Sequence, residues 1–449
     1  MGRLQVNDRL AEGTKGADAP PKPKWTAALV VLLMLASTTA LSQFFRSSTS
    51  VIGPELIRDL ALSSEALGFA NSAFFIAVFL GQIPVGMAFD RFGVRLTVAV
   101  LSVPMAAGAM LHGIADTGMQ LAAARFLVGL GCAGSYTAGI VVISRWFAKP
   151  SWSTLISWQF SLGQVGLVLA GTPLAAAVGL VGWRFPFVVM GLIAMLVGYL
   201  FLTLMRDDPP GATASTRAAT PKVGALQGLR QVLATPGIIQ VFCLYMVAFA
   251  SLVTVHVVWA GPYLHDVYGL DTIQRGNVLL GMALVQTAGA LVVGPLDRLF
   301  NTRKWVSIGS GTLALTAMSA LALGPPSLEA AVGFLFLLSG SSAYGAVLFA
   351  QIRSLFPAHL AGRAATLTNM APLFGASVLP TLTGFIPPLF PYDGPGYAPM
   401  AYRCIFAVLA LCLAAGLAIY LTVTDTKPRP AEEGAATPAP EPRTEGHPR

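Results

Sequence analysis

The stretch Gly86-Met-Ala-Phe-Asp90-Arg91-Phe-Gly93-Val-Arg95 decides how the rest of the chain is read. It is a short charged turn between two long apolar runs, and such a turn is pressed against a membrane face. A carboxylate and two guanidiniums within reach of hydrocarbon make sense when they pair. Gly86 lets a helix end sit close to a neighbour, and Gly93 supports a turn with φ > 0. A diluted copy stands at Gly294-Pro-Leu-Asp297-Arg298, followed by Arg303 and Lys304, at an offset of 297 − 90 = 207 residues. A membrane protein built from two like halves needs such a turn twice at half-chain spacing. A surface turn does not.

Composition points the same way. Apolar residues make up 55% of the chain and charged residues 11%, with a mean hydropathy of +0.69. An ordinary soluble globule carries about 25% charged residues. The net charge of +8 does not indicate nucleic acid, because the basic residues are spread over many loops and form no stripe. The four cysteines, Cys132, Cys243, Cys404 and Cys412, fall inside apolar runs without paired spacing. They read as small packing residues, so neither a metal nor another cofactor is expected.

Residues 1–24 are a polar tail, and the first apolar run is too long for a cleaved signal peptide and is read as a retained span. Spans of about 20 apolar residues follow, at roughly 25–50, 65–88, 95–115, 119–146, 153–180 and 184–204. After a break come 236–263, 274–296, 304–324, 328–352, 364–389 and 402–423. The expected fold is all-α: twelve transmembrane helices in two six-helix halves, 25–204 and 236–423. Residues 205–235 read as a solvated linker and 424–449 as a disordered tail. Of the 28 lysines and arginines, all but Arg46, Arg58, Arg125, Arg184, Arg275 and Arg403 fall in the tails and inward loops when both termini are cytoplasmic. The positive-inside rule is obeyed in that orientation, which places both charged turns on the cytoplasmic side of the cell's inner membrane.

These features resemble the major facilitator superfamily along residues 25–423. The turn Gly86…Asp90-Arg91…Gly93…Arg95 resembles that superfamily's loop between spans two and three, and Gly294…Asp297-Arg298 resembles its second-half echo. Arg125-Phe-Leu-Val-Gly129-Leu-Gly131 resembles the fourth-span motif, and Gly182-Trp183-Arg184 sits where such proteins often enter span six. The second turn departs from the pattern, with Leu-Phe-Asn-Thr between Arg298 and Arg303. The resemblance implies secondary active transport by alternating access around a central cavity, with the turns as gating motifs. Asp90 would then pair with Arg91, Arg95 or a basic group beside span eleven to hold the inward side shut.

Charges inside the spans point toward the substrate. An arginine near the membrane centre costs about 2.5–3.5 kcal/mol, so it is paired or faces water. Arg46 shares one helical face with Thr39, Gln43 and Ser50, a polar stripe expected to line the cavity. The bland alternative is snorkelling, since Arg46 lies roughly 30 Å along the helix from Trp25. Phe45-Arg46 with Pro54 resembles the organic-anion branches of the superfamily, where an arginine at this place engages a phosphate or carboxylate. Organophosphate exchangers carry a matching arginine in span seven; the equivalent here is Thr254. That favours a mono-anion, a carboxylate held in bidentate fashion.

In span seven Tyr245, Leu252, His256, Trp259 and Tyr263 share one face on a straight helical count. They make an aromatic wall for the organic part of a ligand, or helix packing and interface anchoring. His256 is the best-placed candidate there for proton coupling. Arg125 is either a second ligand contact or a structural group bonded to carbonyls and glutamines. Apart from the turn aspartates, every Asp or Glu falls in a tail, loop or span end, which disfavours cationic-drug efflux.

The reading is therefore a transporter of a small carboxylate-type metabolite, monomeric in membrane lipid, coupled to a proton or an exchanged anion. Substrate contacts are expected at Arg46, Gln43, Thr39, Arg125, His256, Trp259 and Tyr263. The alternatives are multidrug or metabolite efflux and, more remotely, a transporter-like sensor. An enzyme is not expected, because Ser135 has no convincing partner base.

Overall fold

The computed structural model describes residues 25–147, 151–208, 235–325, 327–355, 361–392 and 396–427. The expected tail 1–24, all of the expected tail 424–449 except 424–427, and most of the linker lie outside them; Asp425 is ordered, not part of a disordered tail. Every regular element among the described residues is helical. The segment before the linker holds α1 (Trp25–Asp59), α2 (Ser64–Gly113), α3 (Gly118–Cys132), α4 (Ser135–Trp146), α5 (Trp152–Gly163), α6 (Val165–Leu169), α7 (Thr172–Val181) and α8 (Arg184–Leu204). The segment after it holds α9 (Ile238–Val253), α10 (Ala260–Tyr268), α11 (Thr272–Leu299), α12 (Lys304–Leu323), α13 (Leu328–Ser341), α14 (Gly345–Ser354), α15 (Ala361–Gly384) and α16 (Pro399–Tyr420). Among the described residues, ten helical stretches are long and apolar enough to cross a membrane, and Leu328–Ser341 is a shorter apolar helix.

Local sequence explains most boundaries. Ser63, Thr117, Asp271 and Ser327 cap the helices that follow them, and Asp271 with Gln274 forms a full capping box. The first helix runs to Asp59, beyond the expected end near residue 50. Pro54 lies inside it and has no N–H for the carbonyl of Ser50. That carbonyl instead faces Gly261 so closely that a Cβ there would collide with it.

The 50-residue α2 is two helices that meet at Gly93, with φ 84° and ψ 167°. That region of backbone space is essentially reserved for glycine. Asp207, just past α8, accepts the backbone N–H of Arg95 at 2.9 Å. The Arg95 guanidinium donates to the carbonyl of Leu202. The second turn uses the same solution with other residues. Asn301 takes the positive φ, 49°, as asparagine tolerates better than most. Asp425, just past α16, accepts the N–H groups of Arg303 and Lys304 at 3.2 and 3.1 Å and the Thr302 hydroxyl at 2.6 Å. Lys304 Nζ donates to the carbonyl of Leu421 at 2.7 Å. The unusual Leu-Phe-Asn-Thr insert thus makes the same connection as Gly93.

The two segments meet chiefly at the end away from the charged turns. There Gly53 lies against the Pro262 ring, Gly68 against the Pro380 carbonyl, Gly384 against Ser64 and Gly276 against Ala175. Hydrogen bonds join the same pairs: Gly261 N–H to Ser50 Oγ at 3.2 Å and Thr381 N–H to Ser72 Oγ at 3.1 Å. Tyr397, in the connection before α16, sits in this region with its backbone N–H on Asp266 Oδ2 at 2.8 Å. Burial, with Asp266 nearby, raises its phenol above the usual range, so it stays neutral. At the charged-turn end Gly86 and Gly294 have nothing within 4 Å of a would-be Cβ. A recess of about 320 Å³ opens there beside Gly294, Pro295, Asp297, Arg298, Val347 and Ala350. The two segments are thus closely joined at one end, and toward the charged turns α2 and α15 stay in contact as far as Phe79 with Phe374 and Gln82 with Asn369.

Gly93→Ala should lower the thermal unfolding midpoint in detergent by the equivalent of about 1–3 kcal/mol, from a strained backbone and a clash with Asp207. Asn301→Gly should stay close to the parent protein.

Candidate functional site

The polar stripe of α1 is met by α5 and the residues after it. Thr39 Oγ1 accepts from Gln159 Nε2 at 3.2 Å, and Gln43 Nε2 donates to Gln164 Oε1. Glycines make the approach possible: a Cβ on Gly139 would strike the Gln159 amide, and one on Gly163 would strike Thr39. Gln159 is fully buried and its Oε1 has no partner, whereas Gln43 and Gln164 are half-buried. This amide pair stands one helical turn from Arg46.

Arg46 differs from the other arginines outside the expected inward loops. Arg58 pairs with Asp59 at 2.9 Å, Arg184 with Asp116 at 3.1 Å and Arg275 with Glu55 at 2.6 Å. Arg403 donates to the carbonyls of Ala322 and Leu323. Arg125, 1% exposed, donates to the Phe45 carbonyl and to Asn71 Oδ1, the latter at 2.9 Å. Arg46 makes no hydrogen bond or ion pair among the described residues. Its Nε is buried without a partner, and its guanidinium lies 5.7 Å from the Phe75 ring centroid. A half-buried cation with an aromatic floor and no counter-charge among the described residues has N–H groups left for an anion or for water.

Arg125 is not brought to the same opening. It is locked between α1 and α2, with its guanidinium 5.2 Å from the Phe74 centroid. Its role there is to tie α3 to the backbone of α1 one residue before Arg46, which fixes the position of the free guanidinium.

The expected wall on span seven is rearranged, and the cause is local. Thr254–Trp259 is a π-helical turn between α9 and α10. An i→i+5 turn holds more residues than an α-turn, so the face counted at 3.6 residues per turn does not continue past residue 254. Trp259 is fully buried, donates to Thr383 Oγ1 at 2.9 Å and packs against Tyr397 and Tyr402. Tyr263, also buried, shares its hydroxyl with Tyr268 at 3.3 Å and packs on Phe406. Both belong to the closely joined end and not to a wall facing Arg46. His256 is buried without a hydrogen bond among the described residues. Tyr245 stays half-buried, beside Gly345 and near enough to Tyr136 for the two phenols to interact.

The charged turns make no ion pair from one segment to the other among the described residues. Asp90, Arg91 and Arg298 are exposed and make no ion pair among the described residues. The expected Asp90–Arg95 pair is replaced by the Arg95 contacts to Leu202 and Asp207. Asp297 is buried and lies 3.5 Å from Arg303.

Three functional residues went unread in the sequence. Asn71 holds Arg125, and Glu55 with Arg275 bridges the closely joined end. Glu55 Oε1 accepts from Arg275 at 2.6 Å and from the Thr272 hydroxyl at 2.6 Å. The available signal was Thr272 and Arg275 on one face of α11 beside a lone glutamate after Pro54. Nothing in the sequence ties positions so far apart.

A family model described as Major Facilitator Superfamily matches residues 35–380. Over 399 residues the chain is 25% identical to a probable galactarate/D-glucarate transporter of Bacillus subtilis (strain 168), covering 82% of this chain and 87% of that protein. It is 22% identical over 376 residues to a probable L-galactonate transporter of Escherichia coli (strain K12), covering 79% and 82%. Its fold is similar to that of a bacterial homologue of the human lysosomal transporter Spinster, solved inward-facing and unoccupied. That likeness has a TM-score of 0.73 at 18% identity and covers 88% of this chain and 97% of that one.

Arg125→Lys keeps the charge but cannot reach Phe45 and Asn71 together, so it should destabilise the protein by about 1–3 kcal/mol. Arg46→Lys should leave the unfolding midpoint near that of the parent. Thermal unfolding in detergent compares the two.

Proposed function

The chain belongs to the Major Facilitator Superfamily, and from that premise we propose that it carries a small sugar-acid-type carboxylate across the cell's inner membrane by alternating access. Counting α2 as two spans and α13 with α14 as one gives twelve spans, six on each side of linker 205–235. With both termini cytoplasmic, the charged-turn end faces the cytoplasm and the conformation described is inward-facing. Arginine and lysine placement supports that orientation.

One observation carries the substrate reading: Arg46 is the arginine outside the inward loops that has no partner among the described residues. A substrate carboxylate satisfies it with two parallel N–H···O bonds. Gln43 and Gln164 beside it supply donors and acceptors for the hydroxyl groups of a sugar acid, and Thr39 with Gln159 holds the stripe in place behind them. Substrates named for the relatives combine carboxylates with neighbouring hydroxyls, two carboxylates in galactarate and D-glucarate and the one expected from the sequence in L-galactonate. The protein works as a monomer in lipid, and an exchanged anion or a proton accompanies the substrate.

In the proposed cycle the outer end opens as the inner end closes. The interlocked glycines at the outer end then separate, and Gly86 and Gly294 acquire neighbours at the inner end. Asp90 gains its ion pair in that second state.

Arg46→Ala in proteoliposomes should raise the KM for galactarate uptake at least tenfold, the loss of a charge-assisted hydrogen bond of about 1.5–3 kcal/mol. Unchanged uptake kinetics would remove Arg46 from the site. Gly68→Leu puts a side chain where the Pro380 carbonyl stands, so it should hold the outer end open. Its outer helix ends should exchange amide hydrogens faster than the parent's, with little change in α3.

A further inference from the structure

The outer seal contains a buried ion pair whose geometry is incomplete. Arg275 is 1% exposed, yet one terminal nitrogen, Nη2, makes both of its hydrogen bonds, to Glu55 Oε1 at 2.6 Å and Thr272 Oγ1 at 2.9 Å. Its Nε and Nη1 are buried without partners, and so is the second carboxylate oxygen of Glu55, Oε2. A guanidinium presents a planar fork that a carboxylate can fill with two bonds. Glu55 fills it with one oxygen, end-on, and leaves the three N–H groups of Nε and Nη1 empty.

A buried pair made this way is a poor stabiliser, because desolvation of both charges is offset only by good geometry and full hydrogen bonding. It also spans the moving interface. Glu55 belongs to α1 before the linker, and Thr272 and Arg275 open α11 after it. Separation of the outer ends therefore leaves Arg275 facing the outer mouth with its whole fork exposed. Thr272 remains on the same helical face, three residues away.

We propose that Arg275 and Thr272 form an anion subsite at the outer mouth, which the Glu55 carboxylate fills while the mouth is shut and a substrate carboxylate fills when it opens. The proposal rests on the carboxylate reading of the substrate. Glu55 is a tethered competitor: it supplies the same chemical group as the cargo and closes the mouth by occupying the cargo's place. External carboxylate then favours the outward-open state by displacing it, and the captured acid passes inward to Arg46. The ligand class is an organic acid whose carboxylate reaches Arg275 in bidentate fashion while a hydroxyl meets Thr272.

Hydrogen exchange of the purified full-length protein tests this, with galactarate as the probe and galactitol as its uncharged counterpart. Glu55→Gln should raise amide exchange at residues 55–59 and 272–276 about tenfold or more, the loss of one charge-assisted contact. Exchange in α3 should stay as in the parent, which shows that the fold is intact. Galactarate should further raise exchange at these ends, with a half-effect concentration about tenfold lower in Glu55→Gln than in the parent. Galactitol should do nothing, and Glu55→Gln/Arg275→Gln should lose the galactarate response. Arg46→Ala should keep this outer response while losing uptake, which separates the subsite from the central site. Unchanged exchange in Glu55→Gln would overturn the latch, and a galactarate response that survives Arg275→Gln would overturn the subsite. Loss of the outer response in Arg46→Ala would also overturn it, by tracing the effect to the central site.

Discussion

A guanidinium inside an apolar bundle needs an anion, a set of carbonyls or water, and this requirement orders the rest of the molecule. Buried Arg275 meets it with a carboxylate and buried Arg125 with carbonyl oxygens, while Arg58, Arg184 and Arg403 find carboxylates or carbonyls at more exposed helix ends. Arg46 has neither a carboxylate nor a carbonyl partner among the described residues, and its neighbours hold it in that condition. Phe45 gives its carbonyl to Arg125, Phe75 lies against the guanidinium, and Gln43 is turned toward Gln164. On the proposed reading, the N–H groups that folding leaves unpaired on Arg46 are the ones a substrate carboxylate takes up.

The second constraint is that one backbone problem must be solved twice. Each charged turn has to reverse the chain at a membrane face and keep its amides satisfied. The first does so with Gly93 and Asp207, the second with Asn301 and Asp425. The residue types differ while the physics agrees: a positive φ at the corner and a carboxylate returned from past the last helix of the same segment. Sequence similarity between the turns is therefore a weak guide to their equivalence. Asn301 looked like a departure from the pattern until its backbone was seen.

This also marks what could be read in advance. The spans, the charged turns and the polar stripe on α1 are patterns within one helix or one loop, where spacing translates directly into a face. Span seven resisted because the π turn at Thr254–Trp259 resets the helical phase, and no residue type announces it. Arg125 was left open between two roles because its choice depends on Asn71, a residue on another helix with an ordinary context. Glu55 falls beyond the expected end of the first span but inside the first helix, and its meaning comes from Arg275 across the interface between segments. Contacts of that kind are decided by packing, and one chain's periodicity carries no trace of them.

The glycines at the two ends accord with a second conformation, although Gly179, Gly309 and Gly333 elsewhere in the helices also have open space where a Cβ would stand. At the end away from the charged turns Gly68 and Gly261 are used: a side chain on either would strike a backbone carbonyl of the other segment. At the charged-turn end Gly86 and Gly294 are idle, with space where a Cβ would stand. Glycine in a helix is unfavourable by roughly 1 kcal/mol relative to alanine, so an idle helical glycine is a penalty without a local return. In the proposed cycle that return comes when the inner ends close and these two positions become the points of nearest approach. The recess beside Gly294, Val347 and Ala350 is then space reserved for the opposing helices. A rigid bundle with one resting state would have reason to fill it.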